Sequence, residues 1–203
     1  VRPPRFGGWI GAALAALPLP AAAHSTIEGI DAVYGGLLHP YFVPGHILAL
    51  IALSLMVGGL DWRGWRTVIP AWLAALLAGL GIGAAGVPPV QPAIVLLVAA
   101  MLCGIAAALA WRGNRIAAAV AAILIGLVVG LDSVPEDLTA GVPWQVLGAT
   151  AIGAGVFPTY VGALLIRFRR DWLGLGIRIA GSWVIAVSAM VLALTVFQPV
   201  TGS

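Results

Sequence analysis

The sequence contains no lysine; its ten basic residues are all arginine. Charge of either sign is scarce. Only 8% of the 203 residues are charged, against about a quarter in an ordinary soluble domain. With 62% apolar residues and a mean hydropathy of +1.09, the chain has too little polar surface to cover a water-soluble globule. Cysteine is represented once, by Cys103 in an apolar stretch, which excludes an intramolecular disulfide and reads as a small apolar side chain in a helix. No G-x-x-x-x-G-K-[ST] loop is present, so the chain carries no ATPase of that type. The absence of lysine beside abundant Ala, Gly and Leu reflects a GC-rich bacterial genome. A pI near 9.8 does not point to nucleic acid here, because the arginines sit in short loops between apolar runs.

What is present is a series of runs approaching the ~20 apolar residues that cross a bilayer. Residues 1–23 read as a secretory signal peptide: Arg2 and Arg5 precede the apolar stretch Phe6 to Leu17, Pro18 and Pro20 end it, and Ala21, Ala22 and Ala23 supply a cleavage pattern. A cut after Ala23 makes His24 the mature N-terminus, where amine and imidazole can chelate a metal together or simply remain solvated. The remainder, 24–203, is expected to be an all-α transmembrane domain of six spans, at about 42–60, 67–86, 93–111, 116–131, 145–166 and 174–197. Loops one, three and five carry Arg63 and Arg66, Arg112 and Arg115, and Arg167, Arg169 and Arg170. Loop two is uncharged, and loop four carries Asp132, Glu136 and Asp137 with no base. By the positive-inside rule the odd loops are cytoplasmic, which puts both mature termini outside an inner membrane. Trp62, Trp65, Trp111, Trp144 and Trp172 fall at the span ends as an aromatic belt does. Asp61 and Asp171, on the arginine side, are expected to pair with neighbouring arginines. Pro158 is expected to interrupt the fifth span.

The spacings Gly79-x-x-x-Gly83 and Gly126-x-x-x-Gly130 let helices approach closely. They serve either packing within the chain or contact with a second copy or a membrane-complex partner.

This topology gathers every histidine on the outer side, with five of the seven acids. Imidazole with carboxylate suits divalent ions such as nickel, cobalt or zinc. The densest stretch is HPYFVPGH, residues 39–46. Pro40 biases His39 toward an extended conformation, and Pro44 suits the first position of the following helix. An unbroken helix would hold His39 and His46 two turns apart, about 10 Å, so a break is required for both to reach one ion. Alternatively, the two imidazoles bond lipid headgroups or water at the interface.

The stretch GGLLHPYFVPGHILALIALSLMVGG, residues 35–59, following a signal peptide and entering the first of six spans, resembles the HupE/UreJ family of bacterial hydrogenase and urease accessory membrane proteins, regarded as nickel or cobalt permeases. The family's first motif runs from His-Pro to Asp-His. His39-Pro40 and His46 match it, while Gly45 stands at the Asp and Val43 at a glycine. The second motif, Phe-His-Gly-x-Ala-His-Gly-x-Glu, aligns with VVGLDSVPE, residues 128–136. Gly130 and Glu136 match, and Val129 and Ser133 stand at the two histidines. The resemblance implies a divalent metal permease or metal-handling accessory protein, with His39, His46 and Glu136 at its motif positions as metal ligands. Asp132, which stands at the motif's alanine, is expected from the acidic outer loop as a further oxygen ligand. The ion would be nickel or cobalt, with zinc or copper as alternatives, and none is held as a tight cofactor. The competing reading is a non-transporting subunit that docks a membrane complex through its small-residue faces. An enzyme fits least, since Ser54 and Ser182 have no histidine at matching depth.

Overall fold

The computed structural model describes residues 32–111, 114–134 and 144–197. The signal-peptide reading of residues 1–23, His24, Arg112, Glu136 and Asp137 lie outside them. The described residues form helices and no strand: α1 (Ala32–Phe42), α2 (Pro44–Gly59), α3 (Trp62–Ala84), α4 (Pro92–Ala108), α5 (Arg115–Asp132), α6 (Trp144–Arg167) and α7 (Asp171–Phe197). By length and composition α3, α5, α6 and α7 can cross a bilayer, and α1 with α2 makes a fifth if that bent pair is one broken span. α4 is apolar but has 17 residues, about 25 Å at the usual helical rise, somewhat short of a ~30 Å hydrocarbon core. Each of the six apolar runs is therefore helical, while four to five qualify as spans.

Local sequence sets the helix starts. Pro44 and Pro92 occupy first-turn positions, where a missing N–H costs nothing. Asn114 caps α5 by accepting from the Ile116 N–H at 2.8 Å. Asp61 caps α3 by accepting from the Gly64 N–H at 2.8 Å. This corrects the expectation that Asp61 pairs with an arginine. The orphan N–H groups of the first turn lie within its reach, whereas residues two apart on a helix do not face each other. Asp171 opens α7, where a carboxylate favours the positive end of the helix dipole, and among the described residues it too makes no ion pair.

The first span differs most from expectation. His39 and Pro40 are not extended; both lie inside α1, and the chain bends by 72° only at Val43, between α1 and α2. Packing overrides the local bias against a helical residue before proline. α1 lies along α6, with Gly36 against Val146 and Thr150, and Gly153 against Leu37. The Tyr41 hydroxyl donates to Gly153 O at 2.6 Å, and its ring meets Phe157 edge-on. α6 runs unbroken through Pro158, whose side is buried.

α2 is the centre of the bundle, with twelve of its 16 residues buried. Its start lies by the start of α4 (Gly45 against Ala93 and Leu96), and its end by the end of α6 (Gly58 against Leu165). These three helices are therefore parallel. α3 and α5 run parallel to each other through a paired glycine seam: Gly79 meets Gly130, Gly126 meets the Trp72 backbone, and Gly83 meets Leu131. Both small-residue spacings are thus used against one another inside the chain. α7 crosses α4 in the opposite sense at Gly104 and Gly181.

The result is a molecule with two chemically distinct ends. One holds the starts of α2, α4 and α6 and the end of α5, with His46 and Asp132. The other holds Arg63, Arg66, Arg115, Arg167, Arg169 and Arg170. There the Arg169 Nη2 donates to Gly59 O at 2.9 Å and Leu60 O at 2.8 Å, and Arg178 Nε donates to Ala108 O at 3.1 Å. These guanidinium groups satisfy carbonyls that the C-termini of α2 and α4 leave without helical partners.

Candidate metal site

The break at Val43 does what two histidines seven residues apart require. It brings the rings of His39 and His46 to a centroid separation of 5.4 Å, with their planes at 73°. With metal–nitrogen bonds of about 2.0–2.1 Å, two imidazoles on one ion place their ring centres roughly 5 Å apart. The separation is thus compatible with a shared ion. His46 is fully buried and His39 is half-buried.

The third member lies 86 residues further along the chain than His46. Asp132, the last residue of α5, holds its Oδ2 at 2.9 Å from His46 Nε2. This is the one ion pair among the described residues if the imidazole is protonated. An ionised carboxylate only accepts, so Nε2 carries the proton and donates; this tautomer is assigned from the hydrogen bond. The lone pair of a neutral His46 then resides on Nδ1. That atom is buried and has no hydrogen-bond partner among the described residues. A carboxylate holding the far nitrogen of an imidazole is the usual outer support of a metal-ligating histidine. Asp132, expected as a metal ligand, is placed with its Oδ2 on His46 Nε2.

His46 lies in the first turn of α2 and Asp132 ends α5, so their contact is at one end of the bundle. Tyr41, two residues beyond His39, reaches Gly153, more than two turns into α6. No signal in the sequence singled out Tyr41, whose hydroxyl ties α1 to α6 beside the histidines. The second-motif positions are closed off: Val129 is fully buried, and the Ser133 hydroxyl donates back to Val129 O at 2.6 Å. Asp132 stands between them and carries the carboxylate that meets His46. Glu136 is outside the described residues. Among the described residues, no group of three or more His, Cys, Asp or Glu side chains could by itself hold a metal ion.

With this geometry in hand, the comparisons can be read. The family described as HupE / UreJ protein matches residues 12–192. The chain belongs to the HupE/UreJ family. Among curated proteins it is similar to Protein HupE of Rhizobium leguminosarum bv. viciae, 35% identical over 119 residues, which cover 56% of this chain and 59% of that protein. The matched region thus spans about three fifths of that relative's length. No solved structure matches.

Proposed function

We propose that this HupE/UreJ protein is an inner-membrane permease or metal-handling accessory protein for a divalent ion of the nickel or cobalt type. The observation that carries this reading is the buried His46, with Nε2–H held by Asp132 and Nδ1 left without a partner beside the His39 ring. His39 and His46 are the imidazole ligands, Asp132 orients His46, and Glu136, four residues on, supplies a further oxygen. Imidazole-rich sites with few carboxylates suit nickel, cobalt, zinc and copper better than magnesium or calcium. The arginine-rich end faces the cytoplasm, which makes the His/Asp end the periplasmic entrance and leaves both termini outside. In this reading α4 counts as a span despite its length, giving six. No enzymatic role is proposed.

One observation favours the accessory reading: away from the His46–Asp132 contact, the buried polar side chains among the described residues are serine and threonine hydroxyls such as Ser54, Thr150 and Ser188, with no carboxylate or further imidazole. Tyr160 is exposed on the outside of the bundle, and only Ser188 keeps a buried hydroxyl without a partner among the described residues. An ion leaving His46 would therefore need a rearranged or hydrated path, because charge in a bilayer interior is costly. Purified protein in proteoliposomes separates the two readings. A permease accumulates nickel or cobalt inside the vesicles, an accessory protein binds the ion without uptake, and wild-type protein that binds none of nickel, cobalt, zinc or copper would sink both.

Position 45 offers a gain-of-function check. A Cβ on Gly45 would meet Leu96 and Ala93 at 3.6 Å or more, which is ordinary contact. An aspartate there also sits in the first turn of α2, where a negative charge is favoured. Gly45→Asp is expected to tighten nickel binding by on the order of ten-fold in equilibrium dialysis. Unchanged affinity would mean that a carboxylate at 45 stays against α4 and does not reach the ion.

A further inference from the structure

We propose that the arginine-rich end carries a binding site for the phosphate headgroup of an anionic phospholipid, in the cavity between the ends of α2 and α4 and the α6–α7 turn. The cavity is about 420 Å³. Its depth is apolar, with Leu55, Met56, Leu165 and Ile177. Its rim carries Arg169, Arg170 and Arg178. A second cavity of about 410 Å³ adjoins it, shares Gly59 and Arg169, and adds Arg63 and Arg115.

Cations outnumber anions at this end: among the described residues seven arginines stand there with Asp61 and Asp171. No described carboxylate lies within ion-pair distance of these arginines. Asp171 lines the first cavity, and Asp61, which lines the second, accepts from the Gly64 N–H. Two of the guanidinium groups are already held in place by helix-end carbonyls, Arg169 through Nη2 and Arg178 through Nε. That leaves Arg169 Nε and Nη1, Arg178 Nη1 and Nη2, and the whole Arg170 guanidinium with no hydrogen bond among the described residues. The Nη1/Nη2 edge of Arg178 and the guanidinium of Arg170 can each take phosphate oxygens two at a time, Arg169 adds single donors, and fixing a guanidinium beforehand lowers the entropy lost on binding. Cationic rim and apolar depth together match a molecule with a phosphate at one end and methylenes at the other. A free phosphate would leave the apolar depth unmatched, and an uncharged lipid would leave the arginines unmatched. Basic pockets between membrane helices on the cytoplasmic side take anionic headgroups on the same grounds.

The test uses the full chain, purified from mixed vesicles of phosphatidylglycerol and phosphatidylcholine, with retained lipid counted by native mass spectrometry. Wild type is expected to retain phosphatidylglycerol in preference to phosphatidylcholine. Arg170→Gln and Arg178→Gln are each expected to lower that retention about five-fold. Arg66→Gln, at the same end but lining neither cavity, is expected to leave it unchanged. Arg170→Gln breaks no side-chain hydrogen bond among the described residues, so its result stands even if Arg178→Gln fails to fold. Equal losses in Arg66→Gln and Arg170→Gln would reduce the effect to diffuse attraction and overturn the site, as would equal retention of the two lipids by wild type. Displacement of the retained lipid by excess inorganic phosphate would assign the cavity to a soluble phosphate compound and overturn the lipid assignment.

Discussion

His46→Ala is expected to reduce nickel or cobalt binding by about 100-fold or more, to the level of a His39/His46 double alanine variant. The reason is that His46 contributes an orienting contact and a free lone pair at one buried point. Removing the ring leaves His39 on α1 with no second imidazole, and leaves Asp132 without its partner. Asp132 separates a supporting role from a ligating one. Asp132→Ala releases the Nε2–H and lets the ring change tautomer, so affinity is expected to fall by about 10–100-fold. Asp132→Asn keeps an oxygen that accepts from Nε2–H and is expected to retain most of the affinity. If Asp132 bound the ion directly, asparagine would be nearly as damaging as alanine, since an amide oxygen is a much poorer ligand for a divalent ion than a carboxylate. Isothermal titration in nanodiscs, with circular dichroism to exclude unfolded variants, distinguishes these outcomes. Wild-type affinity in His46→Ala would remove the metal site from this part of the chain.

The sequence made the members His39, His46 and Asp132 legible, but not the contact between Asp132 and His46. The pairing of His39 with His46 followed from an elementary length argument: seven residues of helix separate two rings too far, and a proline after a short gap supplies the break. Pro44 at the start of α2 carried that signal. The helical state of His39 was hidden because α1 has poor local credentials, with Gly35, Gly36 and an internal Pro40. Its order comes from contact with α6, which lies more than a hundred residues away. The Asp132 contact spans 86 residues and has no local pattern at all. Asp61 shows the converse error. Its neighbouring arginines suggested an ion pair, while the nearer demand was the orphan N–H groups of the helix it begins.

The glycine seam between α3 and α5 supplies the second large effect. A Cβ at Gly130 would run into the Leu76 carbonyl oxygen, lie 2.7 Å from Leu80 N and 2.9 Å from the Gly79 Cα. All three are backbone atoms, so no rotamer change relieves the overlap and the two helices must move apart. Helix propensity favours alanine over glycine by about 1 kcal/mol, but overpacking of this kind costs about 1–3 kcal/mol or more and separates a long interface. Gly130→Ala is therefore expected to lower the melting temperature in detergent by about 5 °C or more, on the usual scaling for a chain of this size. Gly148→Ala is the matched control. Its added Cβ meets nothing within 4 Å, so it is expected to melt at or slightly above wild type. The seam also reaches the site, because Gly130 lies two residues before Asp132 on the same helix. Pushing α5 away from α3 shifts the carboxylate that holds His46, so metal affinity is expected to fall even in the fraction that remains folded. If Gly130→Ala instead melted like wild type and changed only the number of copies in the particle, the glycines would serve contact between chains. The α3–α5 packing would then not be what sets Asp132 against His46.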